Sequence, residues 1–85
     1  MSKLPVIKGR ELVKFLESMG FRVIRTKGSH VRLRAEDGRL TTVPVHGNKD
    51  IPKGLLRKII REDLEMSLDE FSESYLGYTG KRKDD

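Results

Sequence analysis

The apolar positions of residues 10–19 recur with the period of a helix. The side chains that share one face are Leu12, Phe15, Leu16 and Met19. Their i, i+3, i+4, i+7 spacing predicts an amphipathic helix with that face in the core. Gly20 follows at the position where a left-handed residue ends a helix, so we expect the helix to stop there.

The next stretch changes to a period of two, which predicts strands. Residues 21–26 are rich in β-branched and aromatic side chains and predict a first strand with Phe21 and Val23 on one face. After a turn at 27–29, residues 30–35 alternate strictly and predict a second strand. One face of the second strand carries Val31, Leu33 and Ala35, and the other carries His30, Arg32 and Arg34.

The turn after the second strand decides how the third strand pairs with it. Asp37 and Gly38 form a strong hairpin signal, and the returning strand covers residues 40–45. A two-residue turn would place Val43 on the charged face. A three-residue turn with Gly38 left-handed pairs Val31 with Val43 instead, and we therefore predict this bulged form.

Two further helices follow the strands. Pro52 suits the first turn of one of them, and its apolar face consists of Leu55, Leu56, Ile59 and Ile60. The other begins at a capping box, Ser67-x-x-Glu70, with Met66 and Phe71 at the positions of a hydrophobic staple. We expect this last helix to end at Tyr75 or Leu76.

This order of elements predicts the α+β fold class. The expected architecture is a two-layer α-β-β-β-α domain with an antiparallel three-stranded sheet, plus a short C-terminal helix. Short connections make the sheet antiparallel, because parallel pairing needs a long crossover, and the helices cover its apolar face. We expect residues 1–76 to form a single domain, and residues 77–85, which lack apolar periodicity, to form a flexible tail.

The distribution of charge indicates a class of partner. The 85-residue chain has a net charge of +5, but residues 1–61 carry 15 Lys and Arg against 5 Asp and Glu, whereas residues 62–85 carry 3 against 8. A basic body favours a polyanionic partner, although Lys and Arg also keep small domains soluble. The chain contains no cysteine and no apolar run long enough to span a membrane. We therefore expect a cytoplasmic protein without a membrane partner.

His30 is the leading candidate for chemistry. It follows Gly28 and Ser29. The glycine permits close approach of a backbone, and the serine offers its O–H and its N–H to a phosphate oxygen. Imidazole has an unperturbed pKa of ~6.5, which suits proton transfer at neutral pH. One histidine among cations, without clustered carboxylates, is sufficient for metal-free RNA cleavage in which the ribose 2′-OH is the nucleophile. A hydrogen-bonded turn histidine is the alternative interpretation. The residues that we expect to bind RNA are Arg25, Lys27, Gly28, Ser29, Arg32 and Arg34.

The loop after the third strand holds the auxiliary candidates, His46 and Lys49. A loop cap, a second proton-transfer group and a phosphate donor all fit His46. Two histidines without cysteine make a poor zinc site, and the loop lacks the spacing of a phosphate-binding P-loop. We therefore expect neither a metal nor a cofactor.

The order of several short motifs resembles the HicA-type toxins. The motifs are Gly20-Phe21, Arg25-x-x-Gly28-Ser29-His30, Asp37-Gly38, Val43-Pro44-Val45-His46, Gly54-x-Leu56 and Ile59-Ile60-Arg61. The similarity runs from about residue 4 to residue 71 without a large insertion. Two places depart from the family pattern: Leu55 stands where the family commonly has Thr, and residues 61–66 replace a shorter connection that contains Ala and Gly.

The resemblance implies a fold similar to the double-stranded RNA-binding domain. It also implies the toxin component of a type II toxin–antitoxin system, an mRNA interferase whose essential histidine corresponds to His30. A HicB-type antitoxin is the implied partner, and it would cover the region of that histidine.

Two other functions stay open on the sequence alone. A non-catalytic RNA-binding module would use the same basic face for shape recognition. An interaction protein, such as an inactivated toxin, would use the acidic residues 62–76 to contact a basic partner. For an RNase, the general acid that protonates the 5′-oxygen is His46, a lysine or solvent.

Overall fold

The computed structural model describes residues 4–83 and the side chains of residues 4–80. The elements, in chain order, are α1 (Gly9–Ser18), β1 (Arg22–Lys27), β2 (His30–Arg34), β3 (Leu40–Pro44), α2 (Lys53–Lys58), a π-helical turn (Ile59–Asp63) and α3 (Leu68–Lys83). The strands form one antiparallel sheet in the order β1-β2-β3. The α+β class and the three-stranded antiparallel sheet are thus confirmed.

The hairpin between β2 and β3 has the predicted register. Val31 lies opposite Val43, and the backbone N–H of Ala35 donates to the carbonyl of Arg39 at 2.9 Å, which closes a three-residue loop. Gly38 has a φ of +97°, a conformation that glycine adopts without steric cost. The apolar face of β2 and β3 is therefore directed at the helices, as the alternation requires.

The edge strand β1 contains a bulge at Ile24. Val23 pairs with Leu33 and Arg25 pairs with Arg32, so Ile24 is an extra residue opposite no partner. Phe21 is buried just before the strand, but Val23 is 41% exposed and does not join the core. The bulge therefore changes which side chains of β1 lie on each face of the sheet.

The core lies between the sheet and the helical layer. The buried apolar side chains are Ile7, Leu12, Phe15, Leu16, Phe21, Leu33, Ala35, Val43, Ile51, Leu56, Ile59, Ile60, Leu64 and Phe71. All four apolar positions predicted for the first helix lie in or against this cluster. The opposite face of the sheet is left uncovered by the elements of residues 4–83.

The last helix is longer than the sequence predicts. It runs to Lys83, so the expected end at Tyr75 or Leu76 and the expectation of a short helix are wrong. Aromatic packing explains the difference, because Tyr75 and Tyr78 lie 5.2 and 5.3 Å from the Phe15 ring, centroid to centroid. The division into a domain of residues 1–76 and a flexible tail stays a prediction, although residues 77–83 are helical and residues 84–85 lie outside the described part.

The start of that helix is the predicted capping box. The N–H of Glu70 donates to Ser67 Oγ at 3.0 Å, and the N–H of Ser67 donates to Glu70 Oε1 at 2.9 Å. Two backbone donors that the first turn would leave unpaired are thereby satisfied.

The π-helical turn after α2 is held by side chains of the β2–β3 hairpin. Arg39 Nη1 donates to the carbonyl of Leu64 at 2.6 Å, and Thr41 Oγ1 donates to Asp63 Oδ2 at 2.8 Å. The Arg39 guanidinium also lies over the Phe21 ring, 5.4 Å from its centroid. Arg39 therefore has a structural role and is not available on the open face of the sheet.

Candidate nucleic-acid interface

His30 is the first residue of β2, on the face of the sheet that the helices do not cover. The two-residue turn of Gly28 and Ser29 precedes it, and Gly28 has a φ of +57°. A left-handed glycine at the first turn position gives the backbone twist that joins two antiparallel strands tightly. The side chain of His30 is exposed at the start of β2, directly after this tight turn.

Three cross-strand pairs place basic side chains along this open face. Lys27 lies opposite His30, Arg25 opposite Arg32 and Arg22 opposite Arg34. We call these three pairs the basic ladder. All four sequence-predicted cations, Arg25, Lys27, Arg32 and Arg34, belong to it.

Sequence reasoning missed Arg22, whose place depends on the bulge. Strict alternation from Arg25 would place Arg22 on the opposite face, because the two positions differ by an odd number of residues. The extra residue at Ile24 restores Arg22 to the face of Arg25. Nothing in the single sequence marks this bulge, since the residues around it have strong strand propensity.

His46 lies beside His30 at the same end of the ladder. The two imidazole centroids are 6.5 Å apart, and Ser29 Oγ lies 3.5 Å from His46 Nε2. A backbone hydrogen bond holds the two loops together here, because the N–H of Val45 donates to the carbonyl of Ser29 at 2.6 Å. Lys49 is exposed in the following turn, where its N–H donates to the carbonyl of His46 at 3.0 Å.

The ladder borders an open depression beside His30. The residues that line the depression are Arg25, Lys27, His30, Arg32 and Thr42. The ion pairs Lys8–Asp50 and Arg39–Asp37 lie outside the ladder, and no ladder member forms an ion pair with a carboxylate of residues 4–80. The depression therefore combines uncompensated positive charge with an imidazole, which suits a bound phosphate and proton transfer next to it.

Two negative findings apply to the described part of the chain. It contains no group of three or more His, Cys, Asp or Glu residues placed to hold a metal ion. None of its helices has the length and apolar character needed to cross a membrane.

Comparison with known proteins assigns the family. A search of curated proteins finds no match. A model of the family described as the HicA toxin of bacterial toxin-antitoxin systems matches residues 9–64. That range starts with α1, contains the whole sheet with His30 and His46, and ends just after the π-helical turn. The chain belongs to the HicA toxin family of bacterial toxin–antitoxin systems.

Proposed function

We propose that this toxin is a metal-independent endoribonuclease that cleaves mRNA with His30 as its catalytic residue. The observation that carries the proposal is the exposed imidazole of His30 in the basic ladder, beside an open depression. Membership of a toxin family adds a biological context in which destroying RNA stops growth.

His30 acts as the general base in the proposed reaction. Its imidazole takes the proton of a ribose 2′-OH, and the 2′-oxygen attacks the adjacent phosphorus. The bond from phosphorus to the 5′-oxygen breaks, which leaves a 2′,3′-cyclic phosphate on one fragment. DNA lacks the 2′-OH and is not cut by this route.

The basic ladder holds the phosphate during the reaction. Negative charge builds on the phosphate oxygens as the 2′-oxygen attacks, and fixed cations stabilise it without reorganisation. Lys27 and Arg32 line the depression next to His30, which supports this role for them. Arg25 and Arg34 hold neighbouring parts of the backbone, and Gly28 and Ser29 offer the turn backbone to a phosphate oxygen.

The departing 5′-oxygen takes a proton from a general acid. His46 is the best-placed group for it, because its ring lies 6.5 Å from the His30 ring, a separation that leaves room for a phosphate between two proton-transfer groups. Lys49 lies in the same loop as a further auxiliary cation. A His46→Ala variant that keeps full activity would assign the proton to a lysine or to solvent.

The proposed protein partner is a HicB-type antitoxin. Family membership implies a cognate antitoxin, and the uncompensated charge of the ladder would attract an acidic surface. An antitoxin that covers the ladder blocks RNA from reaching His30.

Inducible expression tests the proposal in cells. Growth and total RNA are followed together after induction of the wild-type protein, His30→Ala and the control Arg57→Ala, which changes an exposed side chain on α2. We expect RNA loss and growth arrest with the wild type and the control but not with His30→Ala. A soluble, folded His30→Ala protein that still degrades RNA would refute catalysis by His30, and RNA that stays intact with every variant would favour a non-catalytic RNA-binding module.

A further inference from the structure

The basic ladder extends well beyond the proposed catalytic residue. At its far end, Arg22 and Arg34 face each other, and they border a second depression lined also by Gly20, Ile24, Ala35 and Glu36. Arg34 lies four positions beyond His30 along β2, which corresponds to about 14 Å at the usual rise of a strand. This end of the face is too distant to contact the nucleotide that is being cleaved.

Two pairs in the ladder set like charges directly against each other. Arg25 faces Arg32, and Arg22 faces Arg34. Like charges at opposed positions destabilise a sheet, and no carboxylate within residues 4–80 forms an ion pair with these four arginines. Glu36 also lines the second depression, but it forms no ion pair with either arginine there. A bound phosphate would remove the repulsion and accept paired hydrogen bonds from the opposed guanidinium groups.

An apolar side chain accompanies the far pair. The bulge leaves Ile24 49% exposed at the second depression, next to Arg22. Exposed apolar surface beside phosphate-binding groups suits the face of an unstacked base, which a nucleotide in a duplex does not present.

The positive charge on this face is one narrow stripe. It lies on β1 and β2, whose axes are about 5 Å apart. The residues that β3 adds to the same face are Leu40, Thr42 and Pro44, which carry no charge. A duplex offers two backbones to a binding surface, whereas one stripe matches the single backbone of unpaired RNA.

We infer that the ladder binds single-stranded RNA lengthwise and that Arg22, Ile24 and Arg34 form a distal subsite. A phosphate lies between the two arginines, and the adjoining base packs on Ile24. The position of the cleaved bond at the other end rests on the proposed function, but the binding of RNA at the subsite does not.

A charge-matched pair of double variants tests the subsite. Arg22→Gln with Arg34→Gln removes two cations from the ladder, and Arg57→Gln with Arg61→Gln removes two exposed cations from the helical layer. The ladder variant is expected to fold with unchanged or higher thermal stability, because a like-charge pair is removed. If it fails to fold, the single variant Arg34→Gln replaces it.

Cleavage of a dinucleotide is compared with cleavage of unpaired RNA of about ten nucleotides. For the ladder variant we expect a roughly tenfold or greater increase of KM for the longer RNA and a much smaller change for the dinucleotide, which is too short to reach the subsite. The slope of log K against log salt for the longer RNA should become shallower by about 0.7, the value for one lost phosphate contact on a single strand. The helical-layer variant should change neither quantity.

Different results separate the failure of the subsite from the failure of the proposed function. Equal KM values and salt slopes for the two double variants would overturn the subsite while cleavage persists. Tighter binding of a duplex than of the unpaired strand would overturn the single-stranded substrate. If even the wild type cleaves neither RNA, the proposed function fails, and the salt slope of RNA binding still decides whether the subsite exists.

Discussion

Gly9 is the residue at which two layers of the molecule come closest. It begins α1 and is buried against the end of β3. A Cβ at this position would overlap the carbonyl oxygen of Pro44 and lie 3.0 Å from the Cα of Val45. Both neighbours are backbone, which cannot rotate away as a side chain does.

Gly9→Ala is therefore expected to lower the free energy of unfolding by about 1–3 kcal/mol, the usual cost of overpacking. Gly54→Ala is the matched control, because a Cβ there meets no atom within 4 Å in the first turn of α2. Urea unfolding of the three proteins measures the difference. Equal urea midpoints for Gly9→Ala and the wild type would show that the backbone at the end of β3 shifts to make room for the Cβ.

Asp37 gives the molecule a local dependence on pH. The backbone N–H of Arg39 and the Arg39 guanidinium both donate to its carboxylate, and they lower the pKa of Asp37 below its ordinary value. The folded pKa lies below the unfolded one, so the stabilisation is present above the unfolded pKa and is lost as pH falls through the folded pKa.

An NMR titration of the Asp37 carboxyl carbon measures this directly. We expect a pKa midpoint below 3.8, the ordinary value for an aspartate, and a return towards that value in Arg39→Ala, where both hydrogen bonds from the side chain are gone. A wild-type midpoint at or above the ordinary value would contradict the hydrogen bonds from Arg39 to the Asp37 carboxylate.

The sequence identified His30, His46 and four cations of the open face because strand alternation and loop position are local properties. The roles of Gly9 and Arg22 could not be predicted from the sequence, for physical reasons. The contact of Gly9 joins elements far apart in the chain, and the side on which Arg22 projects depends on how β1 pairs with β2. Pairing irregularities and close approaches are decided by tertiary structure, which a single sequence does not display.

The elements whose ends are marked by a turn or capping motif could be predicted from the sequence. The β2–β3 hairpin follows from Gly38 together with the apolar alternation, and the start of α3 follows from its capping box. The end of α3 was missed because Gly77 and Gly80 weaken its local helix propensity, while the contact of Tyr78 with Phe15 supports it from outside the segment. The π-helical turn likewise depends on partners in the hairpin, Arg39 and Thr41.

The capping box makes a prediction at the scale of one helix. Ser67→Ala removes the acceptor of the Glu70 N–H and should destabilise the protein by about 1 kcal/mol. Ser74→Ala, at an exposed position inside the same helix, should be neutral or slightly stabilising because alanine favours helix. Thermal unfolding followed by circular dichroism compares them, and an equal loss in both variants would mean that the cap contributes nothing.

At the level of the whole molecule, the two faces of the sheet differ in their chemistry. One face packs against the helices and forms the core, whose side chains are apolar. The other carries the basic ladder, where like charges lie directly opposite each other, so an anion bound there would stabilise the protein. The net charge of +5 matters less than its distribution, because the acidic residues 62–73 lie in the π-helical turn, its connection and α3, away from the ladder.

Cleavage of RNA by purified protein in the presence of a chelator tests whether His30 is the catalytic residue. The wild-type protein should produce fragments that end in 2′,3′-cyclic phosphate, and His30→Ala, with an unchanged circular dichroism spectrum, should lose about 100-fold or more of the rate. Cleavage by His30→Ala at the wild-type rate, or fragments without the cyclic phosphate, would contradict His30 as the base that activates the 2′-OH.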